Sequence, residues 1–145
     1  MAVSPRLFWL DSVMTPSTKA SLTRDLQALA VLFATSGTLH LLRPQLFEAM
    51  IPRALPVPRA LVYASGAGEL ACAAGLLHPA TRRTAGWASA ALLMLIFPAN
   101  VQMAVTEGRR ARRGTGSPAR RAATLVRLPL QLPLIRTALK ATGRP

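Results

Sequence analysis

Four apolar stretches, at about residues 26–42, 58–77, 85–105 and 123–139, fill most of this chain of 145 residues. Each approaches the roughly 20 residues that a helix needs to cross the hydrocarbon of a bilayer. A chain placed in lipid must satisfy its own backbone hydrogen bonds, which restricts such stretches to helices packed on helices. The expected fold is therefore all-α: a transmembrane four-helix bundle with a short amphipathic surface segment between helices 1 and 2. Residues 1–25 read as a polar N-terminal segment, 26–139 as the membrane domain and 140–145 as a tail.

The charge balance has to be read in that setting. Eighteen Lys and Arg against five Asp and Glu give a net charge of +13. In a soluble domain this would suggest a nucleic-acid partner. Here the bases lie mostly between or beside the apolar stretches, and aromatics make up only 5% of the chain, too few for a base-stacking platform. The expected partner is the lipid bilayer, with Arg at the headgroups, and no nucleic acid. Cys72 is the one cysteine, so an internal disulfide is excluded. The apolar run Leu7 to Leu10, ended by Asp11, is too short for a secretory core. With Phe8 and Trp9 it reads as an interfacial segment, and insertion rests on the first span. The expected location is a bacterial plasma membrane, crossed several times.

What interrupts the stretches carries the finer expectations. Ser21 and Asp25 suit a helix start. Pro44, Pro52, Pro56 and Pro58 forbid one continuous helix between spans one and two. Leu46, Phe47, Met50 and Ile51 have amphipathic spacing, so a short surface helix is expected, then an extended turn, with Pro58 opening span two. His78, Arg82 and Arg83 are expected at the headgroups, with Trp87 as an anchor. Pro98 is expected to kink span three. The connection at residues 106–122 carries six Arg and reads as flexible. Span four is the weakest: Arg127 and Gln131 interrupt it, and Pro129 and Pro133 should break its hydrogen-bond ladder. A re-entrant or surface segment is the alternative there.

An up-and-down arrangement brings the intramembrane polar residues to one half of the bundle. His40 ends span one on the side of the first connection. Glu69 lies halfway into span two from that side, Asn100 and Gln102 late in span three, and Arg127 and Gln131 early in span four. The expected arrangement pairs Glu69 with Arg127 and surrounds them with His40, Asn100 and Gln131. A charge in lipid costs about 2.5 kcal/mol or more unless it is paired. Such a pocket suits a lipid headgroup, a quinone carbonyl, a small anion or a proton; equally, it suits a polar knot that holds helices in register. No second His or Cys stands at metal-ligand spacing from His40, so no metal is expected.

The same residues carry a family resemblance. The stretches GTLHLLRPQLF, IPRALPVPRALVYASGAGELACAAGLL, TRRTAGW, FPANVQMAV and RLPLQLPLI resemble, in order and spacing, small DoxX-like membrane proteins. The resemblance spans residues 26–139 and implies a four-helix membrane bundle. It also implies a role near thiosulfate–quinone oxidoreduction, thiol redox balance or maturation of redox enzymes. The paired cysteines of the thiol-handling relatives are absent here, which argues against direct dithiol chemistry. The function expected on this basis is that of an accessory, partner-binding component of a membrane redox or envelope process, without catalytic residues of its own. The alternatives are a quinone-binding subunit of a membrane oxidoreductase, or a small lipid- or solute-binding transporter-like protein acting as a homo-oligomer. Basic residues number eight on the side of the N-terminus and nine on the other, which does not fix orientation. The dense run from Arg109 to Arg121 favours the cytoplasm for the third connection.

Overall fold

The computed structural model describes residues 22–51 and 55–143. Among these residues there are five helices and no strand: α1 (Arg24–Leu42), α2 (Gln45–Glu48), α3 (Pro58–Leu77), α4 (Arg82–Arg112) and α5 (Pro118–Lys140). The segment with Phe8 and Trp9, the Ser21 cap and Pro52 lie outside the described residues. The cap observed for α1 is Thr23, whose hydroxyl accepts from the Leu26 amide at 3.4 Å. Asp25 sits in the first turn, where the helix dipole favours a carboxylate.

Three helices, α1, α3 and α4, are long and apolar enough to cross a membrane. The fourth long helix, α5, is not apolar enough, because Arg127, Gln131 and its flanking bases dilute it. At 23 residues it is nonetheless about 34 Å long. Pro129 and Pro133 do not end it, contrary to the expectation of a broken ladder; the helix runs through both. Packing along its length explains why, since tertiary contact rather than propensity sustains most helices.

α4 corrects a second expectation. The basic connection is not one flexible segment. Residues 106–112 continue α4 to a length of 31 residues, and only residues 113–117 link it to α5. Arg109, Arg110 and Arg112 lie in the last turn, where cations suit the dipole, and Arg110 bonds Glu107 three residues earlier at 3.0 Å.

The helices pack in chain order: α1 on α3, α3 on α4 and α4 on α5, with α5 returning to α1 and α2 touching α3. Lys140 closes the last contact with Asp25 at 2.7 Å. Glycines set three of these approaches. A Cβ on Gly37 would lie 2.7 Å from the Gly66 carbonyl oxygen, one on Gly75 2.7 Å from the Ala85 Cβ, and one on Gly86 2.7 Å from the Ala138 carbonyl oxygen. Lining the interior are small and medium apolar side chains, among them Leu29, Phe33, Cys72, Leu76, Ala90 and Leu93. Large apolar side chains such as Val31, Leu42, Met94, Leu95 and Leu132 point outward.

Arg82, expected at the headgroups, is buried within the protein. Its Nε donates to the Leu76 carbonyl at 2.8 Å and its Nη2 to that of Leu77 at 3.2 Å, so it caps the end of α3. Arg83 is exposed.

Candidate functional site

The polar side chains meet in two pairs on two helix crossings. On α1 the glycine and histidine are three residues apart, Gly37 and His40; on α3 Gly66 and Glu69 have the same spacing. Three residues return to nearly the same face of a helix. The two glycines face each other, and a Cβ on Gly66 would stand 2.6 Å from the His40 Cβ. Close backbone approach therefore delivers His40 to Glu69.

The His40 Nδ1 lies 3.5 Å from the Glu69 Oε2. It also lies 2.8 Å from the Ser36 carbonyl oxygen, which can only accept, so Nδ1 carries a proton. The Ser36 hydroxyl stands 3.5 Å from the same nitrogen. Phe47 of α2 stacks on the imidazole, with ring centroids 3.7 Å apart and planes inclined by 20°. The short surface helix thus covers the pair. Glu69 is 3% exposed, and its Oε2 has no hydrogen-bond partner among the described residues.

The second pair joins α4 to α5. The Asn100 Nδ2 donates to the Gln131 Oε1 at 3.0 Å, and the Gln131 Nε2 donates to the Leu93 carbonyl. Gln131 is buried. It docks where Pro98, lacking an N–H, leaves the neighbouring Met94 carbonyl without a helical donor.

Of the five residues grouped by sequence, His40 and Glu69 form one contact and Asn100 and Gln131 another. Arg127 departs from its expected place. It is exposed, and no ion pair joins it to Glu69 among the described residues. The carboxylate's near neighbour is the imidazole, because the glycine contact draws α1 and not α5 against α3. Gln102 is exposed on α4. Sequence reasoning missed Ser36, Phe47 as the lid of His40, and the Leu93 carbonyl. The matched spacing in Gly37–His40 and Gly66–Glu69 was the signal for the first pair. No group of three or more His, Cys, Asp or Glu able to hold a metal occurs among the described residues.

A family model described as Domain of unknown function (DUF8561) matches residues 29–142. The match covers α3, α4 and α5 whole and α1 from Leu29 onward, so both polar pairs lie within it. No curated protein and no solved structure matches the chain.

Proposed function

We propose, from the premise that the chain belongs to the DUF8561 family, that it is a multi-pass integral membrane protein of accessory, partner-binding type. In this reading α1, α3, α4 and α5 form one four-helix bundle in a bacterial plasma membrane. The observation that carries it is the inverted distribution of side chains. Glu69, Gln131, Thr124 and Ser89 are buried, while Leu95, Leu42, Val31, Met94 and Leu132 are exposed. Water favours the reverse, and lipid favours this one.

The accessory role is supported by how the polar groups are spent. Asn100, Gln131 and the Leu93 carbonyl satisfy one another, and His40 is held by Ser36 and Phe47. The Asn100–Gln131–Leu93 contacts fix α4 against α5, and the Phe47 ring fixes α2 against α1. The DoxX-like motifs add the direction: support of a membrane redox or envelope process through a protein partner. The test is purification from membranes in mild detergent with crosslinking. A co-purifying membrane protein, lost when Gly66→Leu opens the α1–α3 crossing, is the expected result. A lone protein that crosslinks to nothing would contradict the role.

One observation favours a second reading, a quinone-binding subunit. The Glu69 Oε2, 3.5 Å from His40 Nδ1 and without a hydrogen bond among the described residues, is a place for a hydroxyl donor such as a reduced quinone. A quinol analogue should then raise the Tm, and Glu69→Gln should remove the rise. If no quinone shifts the wild-type Tm, this reading fails.

A further inference from the structure

A cavity of about 590 Å³ opens between α2 and the C-terminal end of α4, and no residue of either polar pair lines it. From α4 it is lined by Gln102, Thr106, Arg109 and Arg110, with Arg113 just past the helix end, and from α2 by Glu48. The α4 positions recur at three and four residues, so they form one stripe of the helix. The two carboxylates nearby are already engaged. Glu48 accepts from the Arg59 Nε at 2.7 Å, and Glu107 accepts from the Arg110 Nη1 at 3.0 Å. Among the described residues no carboxylate pairs with Arg109 or Arg113. The cleft therefore presents two uncompensated guanidinium groups, the remaining N–H groups of Arg110 and the Gln102 amide. Guanidinium forks match the oxygens of a phosphate.

A second hollow adjoins it. This groove, of about 410 Å³, is lined by Val101, Ala104, Val105 and Leu128, with Arg109 and Arg112 at its mouth. Arg109 borders both spaces. α4 is about 46 Å long, some 15 Å more than the hydrocarbon of a bilayer, which leaves its last turns at headgroup level. A charged cleft at that level, continuous through one arginine with an apolar groove below it, has the shape of an amphiphile.

We propose that this cleft binds the phosphate of an anionic membrane lipid, with an acyl chain along the α4–α5 groove. The inference rests on the membrane reading above. Its test uses the full chain in phosphatidylcholine nanodiscs doped with phosphatidylglycerol, with native mass spectrometry counting retained lipids. The wild type should retain phosphatidylglycerol over phosphatidylcholine. The double variant Arg109→Gln/Arg113→Gln should bind it roughly 30-fold more weakly, from about fivefold per surface cation. Arg120→Gln/Arg121→Gln removes the same charge from the start of α5, outside the cleft, and should retain wild-type binding. Equal loss in the two double variants would overturn the proposal in favour of diffuse surface charge. Unchanged retention in the cleft variant would overturn it too. Displacement of the lipid by millimolar inorganic phosphate would show a free-anion site and overturn the lipid assignment. If the wild type does not fractionate with membranes at all, it is the membrane reading that has failed. A Tm within a few degrees of wild type for both variants separates lost binding from lost fold.

Discussion

Gly66→Leu is expected to separate α1 from α3 and to destabilise the protein more than any conservative change elsewhere in α3. The first side-chain carbon would stand 2.6 Å from the His40 Cβ and 3.0 Å from the Gly37 carbonyl oxygen. Neither neighbour is the free end of a flexible chain. The helices must part, and overpacking of this kind costs about 1–3 kcal/mol. More is lost here, because parting also moves His40 from Glu69. Gly68→Ala is the matched control on the same helix. Its Cβ would meet only the Leu92 methyls, at 3.6 Å and 3.7 Å, which is ordinary contact. Replacing a mid-helix glycine by alanine gains up to about 1 kcal/mol of helix propensity. Thermal unfolding in detergent should therefore show Gly66→Leu well below the wild type and Gly68→Ala at or above it. Two equal Tm values would sink the idea that the glycine contact sets this crossing.

The second large effect is expected at Arg82. Arg82→Ala removes a buried guanidinium and leaves the Leu76 and Leu77 carbonyls at the end of α3 without their donor. Hydrogen bonds to charged groups contribute about 1.5–3 kcal/mol each, and an unsatisfied buried carbonyl adds its own cost. Arg83→Ala, one residue on and exposed, should fall within about 0.5 kcal/mol of wild type. Denaturation of the two variants side by side separates them. Equal, small losses would mean that the Arg82 hydrogen bonds to α3 contribute little.

Arg82 and Arg83 also show where sequence reading stops. Both follow a span end, and both read as headgroup residues. The tight His78–Thr81 turn folds one back on the helix it has just left and sends the other out. Nothing in the two side chains distinguishes them; the phase at which α4 starts does. The positions of the helices were legible, since apolar runs bounded by proline and arginine leave few alternatives. Helix ends were less so. α4 continues through residues 106–112 because a run of arginines, flexible by composition, is a favourable last turn when it meets a helix C-terminus.

The site was legible as an inventory and not as a set of contacts. An up-and-down arrangement would place His40, Glu69, Asn100, Arg127 and Gln131 in one half of the molecule. It does not say which helices cross closely, and that decides the partners. Gly37 and Gly66 bring α1 onto α3, so Glu69 meets His40 and not Arg127. Gly86, against the Ala138 carbonyl, brings α4 onto α5, and Gln131 then reaches Asn100. The prolines of α5 misled for a similar reason. Each removes one donor, but the side-chain contacts of Gln131 hold the helix against α4 across the gap.

The central claim is that α5 crosses the membrane with the three more apolar helices, and it is tested most directly by sidedness. In a Cys72→Ala background, single cysteines are placed at exposed positions by His78→Cys, Thr115→Cys and Lys140→Cys. Sealed vesicles are treated with a membrane-impermeant maleimide before and after permeabilisation. Thr115 lies between α4 and α5; His78 lies between α3 and α4, and Lys140 ends α5. The account predicts that positions 78 and 140 label from one side and position 115 from the other. Labelling of 115 and 140 from the same side would place α5 on the membrane surface and contradict the bundle.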